Sequence, residues 1–223
     1  MDKPIDFKAV AAQLAHPEGE AGIQTAAHMN VSNGDMTRHA IDLMDIHPNA
    51  HVLEIGPGNG NFAAYVLSKG AGIRYTGVDR SETMINEARN INRQHIEAGS
   101  ACFEWTDGLT FPFLDQSFDY VLTVNTLYFW ENPRVQLTEI RRMLKPGGMC
   151  CLAIASRAFM ERLPFTAYGF TLYTPAAAQE LLAANGFTVV DTTIREHKTI
   201  GAGQRELLRE EVFLRARAEG RIE

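Results

Sequence analysis

The sequence predicts an α/β fold built on a parallel sheet with helices on both faces. Three observations carry this. From residue 51 onward, short apolar runs alternate with helix-compatible segments, the pattern of strands joined by crossover helices. The first run, Val52 to Ile55, breaks into Gly56-Pro57-Gly58-Asn59-Gly60, the grammar of a strand turning tightly into a helix. Phe118 to Val124 is almost unbroken in its apolarity, as a strand buried on both faces requires.

Residues 1 to 50 read as a leader before the first strand, a helical cap or lid over a domain spanning 51 to 223. Phe7 to Ala15 is a short helix, broken by the Pro- and Gly-containing run from His16 to Gly22. Ile23 to Asn33 has mixed character. Asp35 to Met44 reads as an amphipathic helix on the spacing of Met36, Ala40, Leu43 and Met44. Strands are expected at His51–Ile55, Ile73–Val78, Ala101–Trp105, Phe118–Val124, Met149–Ala155 and Phe187–Arg195. Helices are expected at Asn61–Lys69, Ser81–Asn92, Pro133–Leu144 and Pro175–Asn185. Ser81 and Thr174 are natural caps, and Pro133 and Pro175 suit first-turn positions. Lys145-Pro146-Gly147-Gly148 is a hard stop. Ser156 to Tyr173 has no period and reads as an insert on the substrate side. Lys198 to Gln204 reads as a loop, and the alternation of Val212, Leu214 and Ala216 with charged neighbours as a final edge strand.

Composition narrows the function classes. The chain has 223 residues, 45% hydrophobic and 22% charged, ordinary for one globular domain. A net charge of −6 gives no basic footprint for nucleic acid. Met1 to Val10 lacks an apolar signal core, and no apolar run is long enough to cross a bilayer, so the chain reads as soluble and cytoplasmic, with no membrane partner. Cys102, Cys150 and Cys151 have neither disulfide nor metal spacing and read as reduced packing residues; no metal site is expected.

In parallel sheets ligands bind beyond the carboxyl ends of the strands, and chemistry-bearing residues fall at four successive strand ends here. Gly56, Gly58 and Gly60 follow strand one, with Glu54 just before them. Asp79 follows strand two, where a carboxylate can accept from both hydroxyls of a ribose. Thr106-Asp107-Gly108 follows strand three, where Asp107 could accept from an exocyclic amine. Asn125 to Trp130 follows strand four, a polar and then aromatic run able to close over a bound molecule. Each has a plainer reading: a ligand-free turn, a helix cap at Asp79, a turn residue at Asp107, core aromatics after Asn125. Their order favours one shared ligand. Gly-x-Gly-x-Gly departs from the Gly-x-Gly-x-x-Gly of dinucleotide folds, which makes nicotinamide binding the lesser option.

These residues resemble the class I S-adenosylmethionine-dependent methyltransferases, in the small-molecule branch called type 11, most closely over residues 50 to 155. The likeness rests on Val52 to Gly60, Gly77-Val78-Asp79, Ser81 and Met84, Asp107 with Phe111-Pro112-Phe113, Ser117-Phe118-Asp119, and Leu144 to Gly148. It implies a Rossmann-like doubly wound seven-stranded sheet of order 3-2-1-4-5-7-6, with the last strand antiparallel. It also implies S-adenosylmethionine as cofactor. Gly56, Gly58 and Gly60 would pass close to its methionine and ribose. Glu54 would face the amino group, Asp79 the ribose hydroxyls, Arg80 and Met84 the adenine, Asp107 and Gly108 the adenine amine, and Asn125 the sulfonium end.

The expected activity is in-line methyl transfer to a small organic acceptor, by a monomer or homodimer. The alternative is a non-catalytic module that binds the cofactor or a related nucleoside. A general base would come from segments covering the strand ends: His28, Tyr128 and Tyr168 foremost, with Asn30, Asn33, His39, Glu131 and Tyr173 also in reach. His16 and His197 read as surface residues. Arsenite chemistry is rejected, because Cys150 and Cys151 are successive residues of one strand and point to opposite faces.

Overall fold

The computed structural model describes residues 5–200 and 206–219. Seven strands form one sheet: β1 (His51–Ile55), β2 (Arg74–Asp79), β3 (Ala101–Trp105), β4 (Phe118–Val124), β5 (Leu144–Ala155), β6 (Phe187–Ile200) and β7 (Glu206–Ala218). Their order is β3-β2-β1-β4-β5-β7-β6. The first five pair in parallel, whereas β7 pairs antiparallel with both β5 and β6. The alternation from residue 51 and the antiparallel last strand are as expected. The edge position read from its pattern is not. β7 lies inside the sheet, and the edges belong to β3 and β6. Its charged residues misled because two of them, Arg209 and Glu211, are themselves buried, with Glu211 fully enclosed.

Each face of the sheet carries its own apolar core. One contains Leu53, Val121, Leu152 and Leu214 under the helices Pro133–Met143 and Pro175–Ala183. The other contains Val52, Tyr75, Leu122 and Phe213 under α2 (Gly19–Leu43), α3 (Ala63–Leu67) and α4 (Glu82–Ile91). Cys150 belongs to the first and Cys151 to the second, so the alternation expected of adjacent strand residues holds, and both thiols are free.

The leader departs most from the sequence reading. α1 (Phe7–Ala15) forms as expected, capped by Asp6, whose side chain accepts from Lys8 and Ala9 N–H. The break after it covers only His16 to Glu18. A single helix of 25 residues then runs through both the mixed segment and the expected amphipathic one. Its buried stripe is Gly22, Ala26, Gly34, Met36, Thr37, Ala40 and Ile41. Four of those seven, Gly22, Ala26, Gly34 and Ala40, are too small to register as an apolar face, yet their smallness is what lets the helix come close. A Cβ on Gly22 would meet the Pro17 backbone at 2.6 Å. Elsewhere the boundaries shift by local causes. The helix after β1 spans only Ala63–Leu67, because the glycine turn runs on to Phe62. β5 begins at Leu144, through the glycine-proline stop, with a register irregularity opposite Phe118 and Tyr120. β6 continues to Ile200, so Lys198 to Ile200 of the expected loop are strand, and residues 201–205 lie outside the described residues. No helix among the described residues is long and apolar enough to cross a membrane.

Candidate functional site

The C-terminal ends of β1, β2 and β4 open into one cavity of about 830 Å³. Its floor is the glycine turn. Gly56 donates its N–H to the Val78 carbonyl at 2.8 Å, which holds the turn against β2. Gly56, Gly58 and Gly60 all have positive φ, at 73°, 57° and 67°. Gly56 and Gly60 are also hemmed in: added Cβ atoms would meet Thr126 Cγ2 at 2.4 Å and Phe103 at 2.7 Å. Gly58 instead faces open space, with nothing within 4 Å of a built Cβ. That is the bare main chain a ligand can lie against. Gly60 is not on the cavity wall; it packs the turn onto β3.

Two buried carboxylates flank this floor. Glu54 accepts a hydrogen bond from the Tyr75 hydroxyl at 2.7 Å. Burial pushes its carboxyl up to about 7, with Tyr75 opposing and Asp79 adding to the rise. Asp79 accepts from Gly58 N–H at 3.1 Å and Ser81 N–H at 2.9 Å, and burial raises it to about 6 despite those donors. Carboxyls raised by burial while lining a cleft are the pattern that functional sites share.

Asp107 also reaches the cavity, but on different terms. It is exposed, and its Oδ1 accepts from Leu109 N–H at 2.8 Å and Thr110 N–H at 2.9 Å, bonds that hold it below the usual carboxylate range. The plain turn reading of Asp107 thus describes much of what it does. Gly108 beside it accepts from Gln136 Nε2 at 2.8 Å. Arg80 lines the rim, and its carbonyl accepts from Trp105 Nε1 at 2.9 Å. Met84, expected beside an adenine, is fully buried in α4 and away from the wall. Asn125 takes a left-handed conformation, φ 57°, straight after β4; its side-chain carbonyl accepts from Ala155 N–H at 3.2 Å and lies 3.1 Å from the Tyr128 hydroxyl.

The proposed bases are sorted by their neighbours. The Tyr128 hydroxyl donates to the Ala155 carbonyl and accepts from Ala155 N–H, and burial pushes its proton affinity far up. It is a structural post. Tyr168, Tyr173 and His39 are off the cavity wall, and His39 packs edge-on against Phe213. His28, Asn30 and Asn33 line the cavity from α2, and Glu131 lines it from the run after β4. Asn30 donates to Asn59 Oδ1 at 3.1 Å, which ties α2 to the glycine turn.

Three features escaped the sequence reading. Phe7, Val10 and Leu14 of α1 meet Leu163, Phe165 and Phe170 of the insert across the cavity and make its second half apolar. No period announces this, because the insert is built of short turns. The α1–α2 elbow is fastened to α4: Ser81, the α4 cap, donates its hydroxyl to the Pro17 carbonyl, and Gly19 N–H donates to Thr83 Oγ1 at 3.1 Å. His16, read as a surface residue, is half-buried in that elbow, close enough to Asp79 to favour its ionised form. Arg209 of β7, only 5% exposed, also lines the cavity.

The likeness seen in the motifs extends to known proteins. Residues 53–152 match the family model described as a methyltransferase domain. The O-methyltransferase resE of Aspergillus sclerotiorum is 28% identical over 179 residues, 76% of this chain and 67% of that protein. The fatty-acid O-methyltransferase of Mycolicibacterium smegmatis is 39% identical over 97 residues, 44% of this chain and 34% of that protein. The chain thus spans between about a third and two thirds of the length of these curated relatives. Among solved structures, a chain from the complex of the Haloferax volcanii Trm112 methyltransferase activator with a methyltransferase superposes with a TM-score of 0.75 at 21% identity, covering 98% of this chain and 100% of that one. A SAM-dependent methyltransferase from Methanosarcina mazei gives 0.64 at 19% identity, covering 81% and 98%. At such identities the structural likeness is one of fold.

Proposed function

We propose, from the premise that this chain groups with the class I methyltransferases, that it transfers a methyl group from S-adenosylmethionine to an oxygen of a small, largely apolar molecule. One observation carries this reading: a single cavity has a polar half of glycine turn and buried carboxylates and an apolar half walled by α1 and the insert. The residues present fit the cofactor. Gly58 leaves room for a ligand against the main chain. Asp79 keeps lone pairs free for the two ribose hydroxyls, and Glu54 is placed for the amino group. Arg80, Asp107, Gly108 and Asn125 would complete the cofactor half; Gly60 and Met84 would act only by packing it.

The bound cofactor supplies an electrophilic methyl on a sulfonium. The chain's own task is to align an acceptor with that methyl and to exclude water, a contribution worth up to about 7–11 kcal/mol. The lid formed by α1 and the aromatic insert suits the exclusion. His28 is a cavity-lining group able to take a proton from an acceptor hydroxyl, an effect of about 10²–10⁴-fold. Oxygen is favoured as the acceptor atom because relatives aligned over most of this chain carry the name O-methyltransferase.

Calorimetry of S-adenosylmethionine binding tests the cofactor half. Wild type should bind, and Asp79→Ala, titrated well below its own melting temperature because it also loses the acceptor of the Gly58 and Ser81 N–H groups, should lose most of the affinity. Unchanged affinity in Asp79→Ala would remove the ribose placement. Turnover tests the rest: S-adenosylhomocysteine released on addition of apolar hydroxyl or carboxyl compounds supports the enzyme. Tight binding with no release across that panel would favour the non-catalytic module.

A further inference from the structure

The acceptor half of the cavity is largely apolar, and a charged side chain reaches it where β7 runs past the end of β5. The last rung between β7 and β5 pairs Glu211 with Ala155, and Ser156 N–H then donates to the Glu210 carbonyl. Because β7 runs antiparallel, its residues before Glu211 project past the carboxyl end of β5. Leu207 and Arg209 lie there and line the cavity.

Arg209 is fixed with unusual care for a side chain with no task. Its Nε and Nη2 donate to Glu211 Oε1 at 2.9 and 2.6 Å, and its Nη1 donates to Asn33 Oδ1 at 2.9 Å. Three of the five guanidinium N–H groups are thereby used. The other two, one on Nη1 and one on Nη2, have no acceptor among the described residues. Glu211 is fully buried and also accepts from Arg195 Nε at 2.8 Å. Two guanidinium groups therefore share one enclosed carboxylate. The remaining acid, Asp35, pairs with Arg195 from a position more than half exposed, where water screens it. The charge facing the cavity at this point is positive. Arg209 and Glu211 both lie near enough to the Tyr128 hydroxyl to act on it, the one favouring its ionised form and the other opposing it. That hydroxyl lies 3.1 Å from the side-chain carbonyl of Asn125, at the end of β4 where the methyl group would be presented.

We propose that Arg209 is the polar anchor of the acceptor half and holds an anionic oxygen on an otherwise apolar acceptor. The inference rests on the methyltransferase reading for the identity of the two halves, and it adds the chemistry that selects the acceptor. The two free N–H groups, on different terminal nitrogens of one planar group, match two lone pairs of a carboxylate or one oxygen of a phenolate. An apolar skeleton would lie against the contiguous ring cluster of Phe129, Phe165 and Phe170, which lines the cavity. Arg209 acts here as a specificity residue.

The test uses the full chain loaded with S-adenosylhomocysteine and three probes of one skeleton: naphthoate, naphthol and naphthamide. Wild type should bind naphthoate about ten-fold or more tighter than naphthamide, the scale of one charge-assisted hydrogen bond. If naphthol titrated above its own ionisation also gains over naphthamide, phenolates share the site; if only naphthoate gains, the natural ligand is a carboxylate. Either pattern supports the anchor. Arg209→Met should erase the preference. Since that change leaves Glu211 with one partner, Asn33→Asp provides a second route: it sets a carboxylate against Arg209 and should erase the preference with the guanidinium in place. Equal binding of naphthoate and naphthamide to wild type, or a preference surviving in both variants, overturns the proposal. S-adenosylhomocysteine affinity is read in the same titrations: its loss in wild type would sink the cofactor reading, whereas its persistence with no anion preference sinks the anchor alone.

Discussion

Beneath the glycine turn the Tyr75 hydroxyl donates to Glu54 Oε2 at 2.7 Å, and both groups are shut away from water. A carboxyl in that position is stabilised as a neutral acid by burial and as an anion by one phenol. A cationic amino group brought beside it would favour the anion decisively. The pair therefore couples ligand charge to proton release.

Calorimetry near neutral pH should detect that coupling. Binding of S-adenosylmethionine should release a proton, read as a heat that varies with the ionisation enthalpy of the buffer. Glu54→Gln should bind more weakly and show much less buffer dependence. A wild-type heat identical in all buffers would mean that Glu54 does not meet the ligand's amino group.

The free protein should show the opposite face of the same chemistry. Glu54 and Asp79 titrate at about 7 and about 6 when folded, against ordinary values of 4.5 and 3.8. Between those limits the folded chain binds more protons than the unfolded chain, so stability falls as pH rises. Without cofactor, their contribution is favourable below about pH 4 and is lost by about pH 7, on the order of a few kcal/mol for each group. Scanning calorimetry should find a melting temperature that declines across this window more steeply in wild type than in Glu54→Gln. Parallel slopes would refute the assignment.

The glycines should separate folding from binding. Gly56→Ala forces a left-handed residue against Thr126 and should cost about 2 kcal/mol or more. Gly58→Ala meets no neighbour and should cost about 1 kcal/mol, yet it should weaken cofactor binding about ten-fold by filling the ligand's space. Denaturant melts and binding titrations on the two variants make the comparison; equal losses of stability would contradict the different surroundings of the two positions.

Ser81→Ala should both uncap α4 and release the elbow between α1 and α2. The hydroxyl is fully buried, accepting from Met84 N–H at 3.1 Å while donating to the Pro17 carbonyl. A loss of about 1–3 kcal/mol is expected, with faster amide exchange across α1. Exchange in α1 that stays as slow as in wild type would show that the cap is held by other contacts.

His28→Gln should lower kcat about 10²-fold or more for a hydroxyl acceptor while leaving cofactor affinity within about two-fold. Unchanged kcat would exclude His28 as the base.

Much of the cofactor side was legible in the sequence because each contributor sits just past a strand, where local pattern and position coincide. Glu54, Gly58 and Asp79 needed only the alternation and the glycine spacing to be located. What could not be read was set by neighbours distant in sequence. Gly60 looks like a ligand residue by spacing and Met84 by resemblance, but Phe103 crowds the one and α4 packing encloses the other. Tyr128 looks like a base until Ala155 occupies both functions of its hydroxyl. α2 hides its buried stripe in glycines, alanines and a threonine. Arg209 and Glu211 read as solvated charges on an edge strand because their partners, Asn33 and Arg195, lie far away in sequence and because β7 is an interior strand.

The antiparallel course of β7 divides responsibility within the molecule. The strand ends that make the carboxylate and glycine half belong to the sheet, where any change disturbs packing on both faces. The opposite walls come from α1, the insert and the start of β7, whose residues lie past the end of β5 and pair only with the edge strand β6. Drift in those outlying pieces can reshape what the chamber admits while the cofactor half keeps its form, so one scaffold can acquire new acceptors without relearning how to fold.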